Sequence, residues 1–513
     1  LEIHACTQAP VMDLESLELI LAMDRRNIRI VPTAVGGGFG SKLDLSVQPF
    51  LALAALKTQK PVRLCYTREE SLQSSTKRHP SDINLTIGAD NSGKIKGFLF
   101  EGVFDTGAYA SWGPTVANRV PVHASGPYVV TDYTASTKGV YTNNPPSGAF
   151  RGFGVPQTAI SQESLFDELA EILNIDPLEF RIKNALDNHK ATVCGQVFEK
   201  GVGIKACLEA LQHAWHSERK KAGKLNSEGG AIKYGVGLAA GWYGCGNTSL
   251  PNPSTIKSGL LPDGRIRLHQ GAVDIGQGAN TVISQIFATV LGLPVEQVER
   301  VDADTDVTPD AGKTSASRQT FVSGNASRLS AQHLRRQITE RMNVAFESEL
   351  SFQGAQVIAV DGGQTHTLAL QTLPQDDEGF VFRAEGTYDP PTKPLDEKGQ
   401  GNPYAQFGYA AHLAVVSVDT KLGIVKPQKF VAAHDVGKAI NPMLVEGQVH
   451  GGVAQGMGMA LMEEYIAGRT ENLHDYLIPT IGDVPEIVTH IIEEKDAHGP
   501  FGAKGLGEHV LIP

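Results

Sequence analysis

The chain has 513 residues, a formal net charge of −11 and a pI near 5.8. This length is enough for large hydrophobic cores and for more than one domain. The acidic balance, without any block of Lys and Arg, argues against nucleic acid or an anionic membrane surface as a partner. No apolar stretch reaches the length of a transmembrane helix, so no membrane partner is expected.

Five cysteines are spread widely along the chain, and no two of them form a Cys-Xaa-Xaa-Cys pair. This spacing gives little support for a zinc site, an iron–sulfur cluster or a disulfide framework. We therefore expect a protein of the reducing cytoplasm.

The N-terminal region reads as helix, strand, loop and helix. Residues 14–23 carry a helical apolar pattern and residues 27–31 alternate like a strand. A Gly-rich loop at 36–40 then precedes a second apolar helix over 49–56. The order of strand, loop and helix predicts an α/β arrangement.

A similar order recurs in the second half of the chain. Gly-Gln-Gly at 276–278 precedes a helical run to Leu291, and residues 295–301 read as a strand. Further strands are predicted at 232–238, 265–270, 411–418 and 425–434. The recurrence predicts two comparable α/β subdomains.

Between these regions lie predicted core helices and a predicted linker. Residues 161–173 form an amphipathic pattern with Leu165, Leu169 and Leu173 on one face, and Asp176-Pro177 starts another helix. Residues 216–230 lose apolar periodicity, which predicts a loop that connects domains. The predicted domains are therefore 1–215 and 231–513.

The C-terminal end carries a lone acid in the Gly-rich run Gly505-Leu506-Gly507-Glu508. Gly-rich turns let the backbone approach a ligand closely, and a carboxylate held among them is suited to act as a general base. Most such stretches are ordinary turns that end in a solvated acid. The motif therefore gains weight only from other loops like it.

Five further loops share this chemical style. They offer backbone N–H groups and small side chains, several with an amide or a hydroxyl, which suits a bulky polar anionic ligand. The loops are residues 36–42, 148–154, 274–278, 314–319 and 447–452. None fits the dinucleotide fingerprint or the phosphate-binding loop.

Taken in order, these loops resemble those of the molybdenum-binding large subunit of the molybdenum hydroxylases, the family of xanthine dehydrogenase and aldehyde oxidase. The bacterial xanthine and nicotinate dehydrogenase type is similar in style. The motifs are Gly-Gly-Gly-Phe-Gly at 36–40, Ala-Phe-Arg-Gly-Phe-Gly at 149–154, Gly-Gln-Gly at 276–278, Ser-Ala-Ser-Arg-Gln at 315–319 and Gly-Glu at 507–508. The resemblance implies an elongated, mixed α/β (α+β) architecture of two molybdopterin-binding domains, the first of them N-terminally incomplete.

The resemblance implies a molybdopterin cofactor, in its cytosine dinucleotide form, whose dithiolene and not the protein ligates molybdenum. The family's base matches Glu508. The implied cofactor-binding residues are Gly38, Phe39, Gly40, Phe150, Arg151, Gly152, Gly276, Gln277, Gly278, Ser315, Ala316, Ser317 and Gln448. No protein metal ligand is implied, and His213 and His216, three apart on a predicted helix, are interpreted as surface residues.

Two positions match residues that bind substrate in purine-oxidising members. Phe153 matches an aromatic that stacks on the substrate ring, with a core Phe in a turn as the alternative. Arg119 matches a substrate-orienting Arg, with a surface Arg as the alternative.

The chain also departs from the family pattern at several positions. Leu43 stands where purine-oxidising members carry a Glu, and residues 245–253 lack the second aromatic of the pocket. Gly152 and Phe153 occupy the place of the copper-binding Cys of carbon monoxide dehydrogenases, so that substrate is not expected. The family's Gly-Gln-Xaa-His segment and its C-terminal tail are missing, so we expect a fragment of a larger subunit.

The resemblance thus implies hydroxylation of an N-heteroaromatic compound, purine- or nicotinate-like, with water as the oxygen source. Electrons would pass to Fe–S and FAD centres in partner subunits or domains of an oligomeric enzyme. Two alternatives remain open: an aldehyde oxidoreductase of the same family, and a cofactor-free scaffold subunit.

Overall fold

The computed structural model describes residues 1–513. Helices and strands mix along the whole chain, which confirms the predicted α/β class. The helices are α1 (Pro10–Leu21), α2 (Gln48–Thr58), α3 (Arg68–Ser74), α4 (Gly113–His123), α5 (Val155–Ile172), α6 (Pro177–Asn184), α7 (Ile204–Ala210), α8 (Gln212–Ser227), α9 (Ala279–Leu291), α10 (Gly324–Met342) and α11 (Pro442–Leu461). A π-helix, Gln319–Ser323, runs into α10. None of the helices combines the length and the apolar character that crossing a bilayer requires.

The strands form five sheets. They are β1 (Glu2–Ala5), β2 (Arg29–Pro32), β3 (Ser81–Ala89), β4 (Ile95–Gly107), β5 (Asp132–Tyr141), β6 (Ile232–Gly244), β7 (Ser254–Leu260), β8 (Ile266–Gln270), β9 (Val298–Asp302), β10 (Glu349–Gln353), β11 (Gln356–Asp361), β12 (Gln364–Ala369), β13 (Phe382–Tyr388), β14 (Phe407–Asp419), β15 (Ile424–Asp435) and β16 (Glu486–Ile492). Parallel and antiparallel pairs both occur, as the mixed class requires.

The chain forms two compact units, each built from separate stretches. Unit 1 consists of Leu1–Gly38, Lys42–Cys65 and Pro251–Pro391. Unit 2 consists of Phe39–Ser41, Tyr66–Leu250 and Thr392–Pro513. The division into domains at 1–215 and 231–513 stays a prediction along the sequence.

In unit 1, a four-stranded sheet of order β13-β7-β8-β9 packs against α9 and α10. Helix α9 forms because its apolar side chains recur at helical spacing, and Ile283 and Phe287 are fully buried in the core beside Leu268. Gly278 lies at the N-cap of the helix and Gly292 at its C-cap, and both have left-handed backbone. The Gly-Gln-Gly loop therefore lies directly before the first turn of α9.

In unit 2, a sheet of order β16-β15-β14-β6 has its two faces covered differently. One face carries Trp242, Phe407 and Tyr409 in the main core. On the other face the C-terminal segment packs closely, because Gly241 leaves room for Ile512. This packing holds the segment that contains the predicted base.

The predicted linker at 216–230 is wrong, because most of it lies in α8. The helix is exposed, and only a narrow stripe that includes Trp215 and Ala222 is buried. Polar residues fill the remaining positions and hide the helical period from a sequence pattern.

Two other boundaries also shift. Helix α5 begins at Val155 and not at 161, and the strand expected from 295 begins at Val298.

Candidate active site

Glu508 lies in the C-terminal segment of unit 2, where its side chain is half-buried. Its carboxylate accepts a hydrogen bond from the backbone N–H of Gly152. The predicted base and the Phe-Arg-Gly-Phe loop, far apart in sequence, are thus in direct contact. A carboxylate held by a backbone donor has a fixed direction, as a positioned base requires.

The run before Glu508 is anchored in the interior of unit 2. The ammonium of Lys504 pairs with the carboxylate of Asp435, and both side chains are inaccessible to solvent. Lys504 also donates to the carbonyl of Gly201, at 2.5 Å. The amide of Gln406 donates to the Ala503 carbonyl at 3.1 Å and accepts from the N–H of Gly505 at 3.0 Å. These contacts fix the backbone that presents Glu508.

Arg151 joins three of the predicted cofactor loops within unit 2. Its Nε donates to the Gly507 carbonyl at 2.5 Å, and one terminal nitrogen donates to Oε1 of Gln448 at 2.9 Å. The other terminal nitrogen donates to Oε1 of Gln455 at 3.0 Å. The Arg151 backbone N–H donates to the Phe39 carbonyl at 2.8 Å.

Three buried guanidinium groups, those of Arg78, Arg119 and Arg151, act electrostatically on Glu508. Burial lowers the pKa of both Arg78 and Arg151 to about 10, while attraction to Glu508 opposes the shift. Both groups therefore stay charged at neutral pH. Positive surroundings of this kind suit an ionised base and an anionic ligand.

Left-handed backbone brings the loops of unit 2 close together. Gly152, Phe153 and Gly154 have consecutive positive φ values of 92°, 48° and 93°. Gly40 has a φ of 110°, and an added Cβ there would lie 2.5 Å from the Ala149 carbonyl oxygen. A non-glycine residue such as Phe153 in this region costs about 1–3 kcal/mol, and such strain concentrates at functional sites.

Arg119 and Phe153, the two predicted substrate residues, are neighbours in the structure. Arg119 is only 2% exposed, so it is not a surface Arg. Its guanidinium carbon lies 5.4 Å from the centre of the Phe153 ring. The segment 245–253 indeed has no aromatic, but Tyr243 and Tyr404 place their ring centres 4.5 and 5.0 Å from the same guanidinium carbon.

In unit 1, the other predicted cofactor loops also meet. The Gln8 amide donates to the Thr314 carbonyl at 2.7 Å, and the Thr314 hydroxyl donates to the Val273 carbonyl at 2.8 Å. The N–H of Gly37 donates to the Ile275 carbonyl at 3.1 Å. The loops around 37, 274 and 315 are therefore held as one group. The group also contains Gly38, where an added Cβ would clash with the Gln8 side chain.

Asp274 organises the Gly-Gln-Gly loop. Its carboxylate accepts from the backbone N–H groups of Gly276, Gly278 and Asn280 at 2.9, 3.3 and 3.1 Å. The side chain of Gln277 turns back on its own loop, where Oε1 accepts from the N–H of Ile275 at 2.6 Å. In this arrangement the Gln277 side chain stabilises the conformation of its own loop.

The loops of unit 1 fit a large polar cofactor. Added Cβ atoms at Gly36 and Gly276 would meet no heavy atom within 4 Å, so the backbone there is open to a ligand. Ala316 and Ser317 have consecutive positive φ values of 52° and 55°, and Ser315 to Ser317 are half-buried. Successive turns of this kind direct backbone N–H groups toward an anion.

Several residues that build the site were not predicted from the sequence. Gln455 lies seven residues after Gln448 on α11, a spacing of two helical turns that could have indicated it. Arg78, whose guanidinium carbon lies 4.4 Å from the Phe150 ring centre and which donates to the Arg151 carbonyl, follows no motif. Asp435 likewise lies far from the C-terminal run that it anchors.

Leu43 is buried, with 1% of its surface exposed, at the position where a Glu would bind a purine. His213 and His216 are exposed on α8, as interpreted from the sequence. No group of three or more His, Cys, Asp or Glu side chains is placed to hold a metal ion, and all five cysteines are free thiols.

The fold and the site define a protein with a positioned carboxylate among buried arginines and with Gly-rich loops shaped for a large polar cofactor. Two families, each described as a molybdopterin cofactor-binding domain, match the chain, one over residues 1–185 and the other over residues 209–485. The chain therefore belongs to the molybdopterin-binding large subunits of the molybdenum hydroxylases.

Individual relatives agree with this assignment. The xanthine dehydrogenase molybdenum-binding subunit of Escherichia coli O157:H7 is 33% identical over 95% of this chain and 65% of its own length. The nicotinate dehydrogenase large molybdopterin subunit of Eubacterium barkeri is 45% identical over 41% of this chain and 49% of its own length. The crystal structure of the aldehyde oxidoreductase from Desulfovibrio desulfuricans ATCC 27774 matches with a TM-score of 0.89 and 29% identity. That match covers 100% of this chain and 54% of that structure's chain.

Proposed function

We propose that the chain carries the catalytic site of a molybdenum hydroxylase that oxidises an N-heteroaromatic compound, purine- or nicotinate-like, with water as the oxygen source. The observation that carries the proposal is Glu508, oriented by the Gly152 N–H and flanked by buried arginines. The reaction replaces a C–H bond by C–OH, takes one oxygen from water, and releases two electrons and two protons.

The residues of unit 2 divide this work between them. When bound, the molybdopterin cofactor supplies the two-electron oxidation. Glu508 accepts the proton from the attacking oxygen at a carboxylate oxygen, and Phe153 stacks on the substrate ring. Arg151 and Gln448 contact the cofactor beside the base, because their side chains already meet there.

Each unit also holds further candidate cofactor residues. In unit 2 we assign cofactor contacts to Phe39, Gly40, Phe150 and Gly152. In unit 1 we assign them to Gly38, Gly276, Gln277, Gly278, Ser315, Ala316 and Ser317. The open backbone at Gly276 and the left-handed turn at Ala316 support this assignment.

The cofactor form and the partners belong to the same proposal. We assign the cytosine dinucleotide form of molybdopterin, and Fe–S and FAD centres in partner subunits or domains that receive the electrons. The named relatives are subunits of larger enzymes, which supports such partners. We further propose an oligomeric enzyme of the cytoplasm.

Replacement of Glu508 by Gln tests the base. The amide keeps the shape and the hydrogen bond from Gly152 but loses basicity, so turnover should fall about 10²–10⁴-fold. The complete enzyme would be purified from a cofactor-competent host and assayed with an artificial dye acceptor, with molybdenum content measured in parallel. Glu171→Gln, an exposed change on α5, is the matched control. Full turnover by a molybdenum-replete Glu508→Gln enzyme would overturn the assignment.

Aldehyde oxidation is a second candidate, favoured by the buried Leu43 and by the likeness to an aldehyde oxidoreductase structure. A screen of purines, nicotinate and aldehydes separates the two. If only aldehydes react, Glu508 keeps its role and the substrate roles of Arg119 and Phe153 fall. A persistent absence of molybdenum from the correctly folded protein would instead support a cofactor-free scaffold.

A further inference from the structure

Two buried polar atoms beside the base have no hydrogen-bond partner in the protein. They are the hydroxyl oxygen of Tyr243 and Nε of Arg119, on side chains that are 0% and 2% exposed. Buried polar groups are nearly always paired, because leaving one unpaired forfeits its hydration without replacement. The guanidinium carbon of Arg119 lies 4.5 Å from the centre of the Tyr243 ring, so the two unpaired groups belong to one cluster, where a ligand would supply the missing partners.

The guanidinium of Arg119 is rigidly held in this place. Its two terminal nitrogens donate to the carbonyls of Gly244 and Gly246, at 3.1 and 2.7 Å. The rings of Tyr243 and Tyr404 lie against it, with centres 4.5 and 5.0 Å from the guanidinium carbon. Arg119 therefore holds the turn at 244–246 with its terminal nitrogens, and Nε–H remains as a fixed donor.

Tyr243 lies on the face of β6 that the C-terminal segment covers. It pairs across the sheet with Gly408, whose missing side chain leaves room for the ring of His509, the residue after the base. Glu508 acts electrostatically on both Tyr243 and Arg119. The two unpaired groups are thus neighbours of the base.

The hydroxyl of Tyr243 is a donor at any physiological pH. Burial raises the pKa of Tyr243 well above 10; nearby Arg119 opposes this shift and Glu508 reinforces it. Tyr404 differs, because its hydroxyl is already hydrogen-bonded to the hydroxyl of Thr248. Only Tyr243 of the two has its hydroxyl unpaired.

We propose that Tyr243 is a specificity-determining residue, whose hydroxyl donates to an acceptor on the substrate ring while Nε–H of Arg119 donates beside it. This inference rests on the proposed hydroxylase function. One of these donors is the Tyr243 hydroxyl and the other belongs to the positively charged guanidinium of Arg119. Such a pair fits a ring nitrogen, an oxo group or a carboxylate as the acceptor. A simple aromatic aldehyde has its only acceptor at the reacting carbon and would leave both donors unpaired. Discrimination of this kind is strong, since a site built to hydrogen-bond a group rejects a compound that lacks it.

The test is Tyr243→Phe in the complete, molybdenum-loaded enzyme, because Phe keeps the ring against Arg119 and removes only the hydroxyl. For oxo- or carboxylate-bearing N-heteroaromatics, we expect kcat/KM to fall about tenfold, mainly through KM. For benzaldehyde, kcat/KM should stay unchanged. The matched control is Tyr234→Phe, at the other end of β6, which should leave both classes of substrate unaffected.

The outcomes separate this inference from the function on which it rests. A wild-type enzyme that oxidises heteroaromatics, with Tyr243→Phe equal to it, would overturn the role of Tyr243 and leave the function standing. A wild-type enzyme that oxidises neither class would overturn the function itself. The Kd of a heteroaromatic product, measured on the same two proteins, must rise in Tyr243→Phe; an unchanged Kd with an unchanged melting temperature would also sink the proposal.

Discussion

The position of the base depends on one fully buried ion pair, between Lys504 and Asp435. Burial raises the pKa of Asp435, and the ammonium of Lys504 acts against that shift. Neither side chain is accessible to solvent, so each charge is balanced only by its partner and by nearby backbone groups. Because Lys504 lies four residues before Glu508, the ion pair couples the stability of the interior to the geometry of the base.

Lys504→Met should therefore be strongly destabilising. Removing one partner of a buried pair leaves the other charge uncompensated and costs about 3–5 kcal/mol in the free energy of unfolding. Denaturant unfolding would measure the loss. The double variant Lys504→Met/Asp435→Asn removes both charges and should recover much of it, and a double variant no more stable than the single one would contradict the argument.

At the scale of elements, α8 shows how a helix can depend on a distant cap. Asp176 caps α6, since its Oδ1 accepts from the N–H of Leu178 at 2.9 Å. The same carboxylate accepts from Nε1 of Trp215 at 2.9 Å and from Arg219 at 2.6 Å, both on α8. The Asp176 side chain thus caps α6 and also binds α8 through hydrogen bonds.

Asp176→Ala should cost more than the loss of an ordinary cap. The cap alone contributes about 1 kcal/mol, and a hydrogen bond to a charged group about 1.5–3 kcal/mol. We expect the free energy of unfolding to fall by about 2–4 kcal/mol on these values. Asp176→Asn keeps the cap and should lose less than half as much; equal losses would show that α8 does not depend on the charge.

The same element shows what a sequence can predict. The apolar period of α9 was visible because this helix buries a broad face, and the motif around Arg151 was visible because its residues are contiguous. Helix α8 was missed because its buried stripe is narrow. The contacts of Arg78 and Asp435 join residues far apart in the chain, and no local pattern specifies them.

At the scale of the whole molecule, buried neutral histidines determine the response to acid. Burial lowers the pKa of His79 to about 4 and that of His123, His412 and His509 to about 3, from 6.5. In the unfolded chain these groups take up protons below pH 6.5, while in the folded chain they do not. Their contribution to stability is complete above pH 6.5 and is lost as the pH falls toward 4.

Carboxyl groups with raised pKa values act in the opposite direction. Burial raises the pKa of Asp13 to about 7, and it also raises those of Glu163 and Asp435, so these groups hold protons in the folded state that the unfolded chain releases. The histidines with lowered pKa values outnumber them, since His269 and His434 join the four above. The unfolded state therefore binds more protons than the folded state between pH 6 and 4.5.

We therefore expect the free energy of unfolding to decrease with acidification in this window, at about 1.4 kcal/mol per pH unit for each net proton. Thermal unfolding at pH 7.5, 6.0, 5.0 and 4.5, at constant ionic strength, measures the slope. His412→Gln removes one of the contributing groups, so it should reduce the slope by about 1.4 kcal/mol per pH unit, the contribution of one proton. His450→Gln, on the exposed side of α11, should leave the slope unchanged. A melting temperature that stays constant or rises from pH 6 to 4.5 would contradict the argument that the buried neutral histidines outweigh the buried carboxyl groups with raised pKa values.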